Sequence, residues 1–244
     1  MEKTKIDWAQ STWNPVTGCK HGCEYCYARG IATRFGGKTV DEPHILDEPY
    51  VMDGKKRPYP FGFTPTLHRY RLDEYANKDG RNIFVCSMAD LFGEWVPDKW
   101  LQEVFEACKK NPQHNYLFLT KNPSRYKELL YRKVLPTGDN FWYGTSVTDP
   151  TMPYTYSQDV HTFLSIEPLL EDFGDFSGNG FAEWVIIGAE TGRRKDKVIP
   201  KKEWIENLVD ICRQKNVPVF MKSSLTDVWG ETLIQEYPKE LRRK

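Results

Sequence analysis

Short apolar runs alternate with amphipathic stretches along most of this chain, and that alternation limits the folds open to it. Asn82 to Ser87 and Tyr116 to Thr120 are apolar runs of strand length. Between them Pro97 opens a helix whose Trp100, Leu101, Val104, Phe105 and Cys108 share one face, and Asn111-Pro112 ends it. A short helix follows Pro123, and Phe141 to Val147, Thr162 to Ile166 and Trp184 to Ile187 read as further strands. A helix from about Lys201 to Gln214 carries Trp204, Ile205, Leu208, Val209 and Cys212 on one face, and Val217 to Met221 is the last strand. Near-continuous apolar strands joined by helices predict a mostly parallel sheet covered on its outer face. Six or seven such strands form a partial or irregular (β/α) barrel, with a flat doubly wound sheet as the alternative. In either fold ligands bind at the carboxyl ends of the strands.

A chain of 244 residues can bury one large core, so residues 1–244 read as one α/β domain. The stretch from Gly36 to Gly80 is the least regular and rich in Pro, Gly, Tyr and charge. It reads as a connection over the barrel mouth, with a short helix near Pro65 to Tyr75. No apolar run approaches the roughly 20 residues of a membrane span. The first residues lack the apolar core of a secretory leader, so a cytoplasmic protein without a membrane partner is expected. With 34 basic and 34 acidic residues the net charge is zero, so any nucleic-acid contact must come from local patches. Lys55-Lys56-Arg57, Arg69 with Arg71, Arg193-Arg194-Lys195 and Arg242-Arg243-Lys244 are such patches, and each also reads as ordinary solvated charge.

Three of the six cysteines stand within eight residues, in Gly18-Cys19-Lys20-His21-Gly22-Cys23-Glu24-Tyr25-Cys26-Tyr27. Thiolates crowded on one short loop point to a metal rather than to disulfides. Cys19, Cys23 and Cys26 can ligate three irons of a cubane [4Fe–4S] cluster. The fourth iron is then open to the amino and carboxylate groups of S-adenosylmethionine. Gly18 and Gly22 suit a loop that wraps closely around such a cluster. The competing reading is a structural zinc site of Cys3His type, with His21 or His44 as the fourth ligand, in a non-catalytic binding protein. Cys86, Cys108 and Cys212 occupy apolar positions of strands and helices and read as core.

Several apolar runs end in polar residues, which places Ser87, Asp90, Thr120, Lys121, Asn122, Ser146, Thr148, Ser165, Glu167, Glu190 and Lys222 near one rim of the barrel. Some of these fit simple caps or turns, Asp90 and Asn122 best of all. Glu167 closes one buried strand before Pro168, and Glu190 follows another. A carboxylate in such a place needs a partner or a ligand.

The cysteine spacing with Tyr25 resembles the radical S-adenosylmethionine superfamily. The wider pattern is similar to a phage and prophage three-cysteine-motif family within or beside it. The matching stretches include Thr12 to Cys19, Cys23 to Ala28, Ser87 to Phe92, Leu119 to Pro123, Gly144 to Thr148, Ser165 to Leu170 and Ile187 to Gly192. The match departs after Phe220, where Met221-Lys222-Ser223-Ser224 replaces an ending closer to Phe-Lys-Gln-Trp. The resemblance implies an enzyme that reductively cleaves S-adenosylmethionine to a 5′-deoxyadenosyl radical, served by a reductant such as flavodoxin or ferredoxin. It implies cofactor contacts from Tyr25, from Ser87 and Asp90 (methionine amino group), from Lys121, from Ser146 and Thr148 (ribose or carboxylate) and from Glu167. Glu190 and Lys222 follow late strands and are the candidate catalytic residues, with Arg193 as a substrate-binding cation. The phage-like match implies a nucleic-acid base or nucleotide as substrate, for example a modified thymine side chain that is isomerised or rearranged, in the host cytoplasm if phage-encoded. A small-molecule or peptide substrate is the alternative, and the neutral net charge favours it.

Overall fold

A computed structural model describes residues 4–174, 176, 181–192 and 194–242. Seven strands form its main sheet: β1 (Ser11–Trp13), β2 (Asn82–Val85), β3 (Asn115–Thr120), β4 (Phe141–Val147), β5 (His161–Ile166), β6 (Trp184–Ile187) and β7 (Val219–Met221). They lie side by side in chain order, and every pairing is parallel. Right-handed crossovers that always step in one direction put every connection on the same face. The sheet therefore curls into a half barrel. A doubly wound sheet would reverse its order part-way and carry helices on both faces, and this one does not.

The helices are α1 (Tyr27–Phe35), α2 (Asp98–Lys109), α3 (Ser124–Tyr131), α4 (Lys202–Gln214) and the short α5 (Thr226–Trp229). All five residues assigned to the inner face of α2 are buried, and so are Ile205, Leu208, Val209 and Cys212 of α4. Each large side chain so covered stabilises the fold by about 1.5–3 kcal/mol.

The period of two along each strand sorts the sheet residues onto two faces. Ile83, Val85, Tyr116, Phe118, Phe141 and Tyr143 pack outward in one core cluster with α2 and α3. Leu164, Ile166, Val185, Ile187, Val219 and Met221 do so in a second cluster with α4. Inside the curl, Trp142, Phe163, Trp184 and Phe220 pack with Trp8 and Leu241. The last turn of chain supports this plug, since the Trp184 indole donates to the Glu236 carbonyl at 2.9 Å and the Asn82 amide to that of Leu241 at 2.8 Å. With its middle filled, the half barrel is left open at the carboxyl ends of its strands.

The Gly36 to Gly80 connection differs from the expected loop with a helix. His44–Leu46 and Val16–Thr17 pair on either side of Thr66–His68 in a three-stranded sheet, and Val51–Met52 with Lys55–Lys56 makes a hairpin. The only helical turn near the expected position is the 3₁₀ piece Arg69–Arg71. Leu67 is fully buried between its two strand neighbours, which holds the segment extended. No helix of the described residues is long and apolar enough to cross a membrane.

Candidate functional site

A cavity of about 440 Å³ lies at the carboxyl ends of the strands, within the range of small-molecule sites. Alternation delivers its floor. Phe84, Leu119, Ser146 and Ser165 are the inward-facing residues nearest the ends of β2, β3, β4 and β5, and all four line it. Ser146 and Ser165 are register partners, which sets two hydroxyls side by side.

The cysteine loop forms one wall. It leaves β1 through Val16-Thr17, and Gly18 continues the pairing with a bridge to Ala89 and an N–H donated to the Met88 carbonyl at 2.9 Å. Gly18 sits at φ +89°, and a Cβ there would fall 2.2 Å from the Thr64 carbonyl oxygen. Only glycine lets the loop start this close to its neighbour. Cys19, Cys23 and Cys26 are free, half-buried thiols, and all three line the cavity. Cys26 also caps α1, its sulfur accepting the Arg29 N–H at 3.4 Å. Burial pushes the Cys19 thiol up to about 12; the His21 N–H opposes this, and Asp90, Cys23 and Cys26 add to it. A thiol so raised calls for a cation to hold it as a thiolate.

No group of three or more His, Cys, Asp and Glu side chains among the described residues is placed to hold a single metal ion. The Cys3His zinc arrangement is not formed. His21 Nε2 is instead 2.6 Å from Asp90 Oδ2, with its ring edge-on to Trp95, and His44 stacks on Phe61 at 3.9 Å between centroids. A cubane makes a different demand, because each thiolate goes to its own iron and the sulfurs need not converge on one point. Three cavity-facing thiols on one loop, with backbone N–H groups at two of the sulfurs, fit that donor set.

Asp90 ties the wall to the strand ends. Its two oxygens accept from Thr120 Oγ1 at 2.7 and 2.9 Å, from Phe92 N at 3.0 Å and from Lys121 N at 2.9 Å, besides meeting His21. The turn reading of Asp90 is the one the structure displays. Its carboxylate borders the cavity but is already occupied, so it positions the loop. Asn122 likewise serves the turn, accepting from Ser124 Oγ at 2.6 Å and donating to the Phe92 carbonyl at 3.0 Å. Ser87 lines the cavity, with its hydroxyl on Asn14 Oδ1 at 3.1 Å and its carbonyl accepting the Tyr27 hydroxyl at 2.7 Å.

Lys121 stands differently. Its ammonium donates to Ser146 Oγ at 3.0 Å and lies 5.4 Å from the centre of the Tyr25 ring. Among the described residues no carboxylate pairs with it. Lys121, Ser146 and Tyr25 thus come together as one corner of the cavity, ready for an anionic group.

The far end of the sheet supplies two ion pairs. Glu167 and Lys222 are in direct contact across Gly188, and both line the cavity. A Cβ on Gly188 would lie 3.0 Å from Lys222 Cδ and 3.2 Å from the Glu167 carboxyl carbon, so the glycine makes room for the pair. Glu190 is buried, and Arg194 grips it with two bonds of 2.7 Å. That bond holds the Glu190 carboxyl below the usual carboxylate range. Arg194 also reaches Glu24 of the cysteine loop at 3.4 Å, so one guanidinium links the Glu190 carboxylate to that loop. Arg193, the expected substrate cation, lies outside the described residues.

Among the described residues, Thr148 is the one expected cofactor-site residue that does not line the cavity. The strand ends at Val147, the chain turns, and both the Thr148 N–H and its hydroxyl contact Met152 Sδ at 3.3 Å. Asp7 is a residue the sequence did not mark. It lines the cavity and accepts the Ser223 N–H at 2.7 Å. Cys86, Cys108 and Cys212 are buried as expected, and burial pushes Cys86 up to about 12.

Fold and cavity together define an α/β half barrel with a thiol-lined site at its strand ends. The chain belongs to the family described as "Protein of unknown function (DUF5131)", whose model matches residues 3–241. No curated protein sequence matches it. Among solved structures, a point mutant of spore photoproduct lyase is similar at a TM-score of 0.51 and 11% identity, over 90% of this chain and 78% of that one. Spore photoproduct lyase complexed with dinucleoside spore photoproduct gives 0.48 and 12%, over 93% and 76%. A double mutant of the same lyase with bound AdoMet and that dinucleoside gives 0.45 and 12%, over 95% and 64%. At such identities the likeness is one of fold.

Proposed function

We propose that this chain is a radical S-adenosylmethionine enzyme in which Cys19, Cys23 and Cys26 hold a [4Fe–4S] cluster and the substrate is a nucleic-acid base or nucleotide. The observation that carries the reading is the set of three half-buried thiols facing one cavity with a lysine that has no carboxylate partner among the described residues. When bound, the cluster and S-adenosylmethionine would supply a carbon radical able to take a hydrogen atom from the substrate. The rest of the work falls to side chains. Lys121, backed by Ser146 and Tyr25, suits the methionine carboxylate by a charge-assisted bond. Ser87 lies beside the cysteine loop and offers its hydroxyl to the cofactor.

Trp8, Phe63, Phe84 and Leu119 give the cavity apolar and aromatic walls, which suit a flat base and exclude water from a reactive intermediate. Glu167 and Lys222 each make one ion-pair contact and keep acceptor and donor capacity for a substrate. Arg193, which follows β6 in the sequence, would add a cation for a substrate phosphate. An isomerisation or rearrangement of a base side chain, or a lyase-type scission, would suit such a site. Zero net charge supports a second reading, a free small molecule or peptide as substrate.

Anaerobic reconstitution with iron and sulfide tests the reading. The protein should bind about four irons, and with dithionite it should yield methionine and 5′-deoxyadenosine. Cys23→Ala should lose both, and Cys86→Ser should keep both. One tightly held zinc without labile sulfide would sink the proposal. Mass spectrometry of DNA, nucleosides and small molecules incubated with the reduced enzyme then separates the two substrate readings.

A further inference from the structure

Helix α1 is amphipathic in the wrong sense for a helix whose large apolar side chains join the core. Its buried residues are the small Ala28 and Ala32, while Tyr27, Ile31 and Phe35 stand 52%, 38% and 54% exposed. The three are spaced i, i+4, i+8 and so form one stripe. They are not isolated: eight of the eleven exposed large apolar side chains of the described residues fall between Tyr27 and Met52. On α1 itself the stripe is a run of adjoining apolar side chains left open to solvent.

We propose that this face of α1 is a track for a single nucleic-acid strand that leads the target base into the cavity. The inference rests on the nucleotide reading of the site given above. Continuity comes first, because Tyr27 both lines the cavity and begins the stripe, its ring fixed by the hydroxyl bond to the Ser87 carbonyl. Charge comes second. The helix carries Arg29 and Arg34 and no acidic residue, and Lys38 follows it. The Arg34 guanidinium lies 5.3 Å from the Phe35 ring centre, and Arg29 lies 5.8 Å from that of Phe63, a cavity wall. An aromatic face beside a guanidinium, as at Phe35 and Arg34, is what a stacked base and its phosphate require. From Tyr27 to Phe35 the stripe runs about 12 Å, the length of roughly three or four stacked nucleotides. A second copy of the chain fits less well, since a two-fold contact through this face would bring Arg34 toward its own counterpart.

Fluorescence anisotropy of a short labelled single strand, DNA and RNA in turn, tests the track on reconstituted protein at low salt. Wild type should bind at least one of them. Phe35→Ala and Arg34→Glu should each weaken binding about five-fold or more, with iron content and circular dichroism unchanged, and Phe35→Trp should restore it. The proposal is overturned if neither strand binds, if both variants bind like wild type, or if wild type is a dimer that Phe35→Ala dissolves. Strand binding is read without turnover, and 5′-deoxyadenosine formation by wild type alone judges the radical reading. The two ideas therefore fail separately.

Discussion

At the β1–β3 end of the sheet, the rim of the cavity carries three thiols and a lysine that has no carboxylate partner among the described residues. At the β5–β7 end, Glu167, Lys222 and Glu190 each touch an opposite charge. Both rims rest on the same alternating strands, so the backbone does not make the difference. The first rim is built from groups that want something added: three free thiols on one loop, and a cation that among the described residues has a hydroxyl and an aromatic face for company. The second is complete as it stands, a wall whose charges cancel and whose remaining hydrogen-bonding capacity points at whatever enters. On the function proposed above, the first rim would hold the cofactors and the second would present a preformed surface to the substrate.

Removing Asp90 should break the first rim most severely. Asp90→Ala leaves Thr120 Oγ1, the N–H groups of Phe92 and Lys121, and His21 without their acceptor. Stability should fall by about 3 kcal/mol in urea melts, and iron uptake should fall with it as the cysteine loop loses its tether. Asp90→Asn, which keeps one acceptor oxygen, should lie between. If Asp90→Ala melts like wild type, the loop is held by something else.

The two lysines sharpen the contrast. Lys121→Ala should weaken S-adenosylmethionine binding about ten-fold, the worth of one charge-assisted hydrogen bond, as read by equilibrium dialysis. Lys222→Ala should leave that affinity nearly unchanged and lower substrate turnover instead, because it strips the partner from Glu167. Equal effects of the two variants on cofactor affinity would erase the division between the rims.

Much of this arrangement was legible in the sequence where a period was strong. The buried faces of α2 and α4 and the strands from β2 onward follow from spacing alone, and so does the placing of polar residues at strand ends. What escaped was decided by contacts far apart in the chain. Leu67 goes into a strand because Val16 and Ile45 flank it, and no local pattern announces a partner fifty residues away. Thr148 continues the alternation of Trp142, Gly144 and Ser146 in the sequence, but the strand stops one residue short of it. Glu190 was recognisable as a carboxylate in need of a partner. That the partner is Arg194 depends on how one loop turns, which adjacent identical residues do not reveal.

The smallest expected effect concerns that partner, and its dependence on pH distinguishes an anchor from an active acid. Arg194 depresses the Glu190 carboxyl, so the folded protein binds fewer protons there than the unfolded chain as pH falls through the ordinary carboxylate range. The stabilisation is therefore complete above that range and is lost as pH drops through the depressed value. Glu190→Gln should lower the melting midpoint by a few degrees at neutral pH, and wild type and variant should converge in acid. Arg194 is a third exposed, so solvent and salt screen the pair and the gap should narrow in high salt. Arg194→Ala should cost at least as much, since it leaves the buried Glu190 carboxylate without its ion-pair partner, holding only the Val198 N–H, and cuts the contact to Glu24 in the cysteine loop. A general acid at this position would behave otherwise: Glu190→Gln would abolish turnover while leaving the melting curve and its pH dependence in place. That outcome would move Glu190 from the supporting wall to the chemistry.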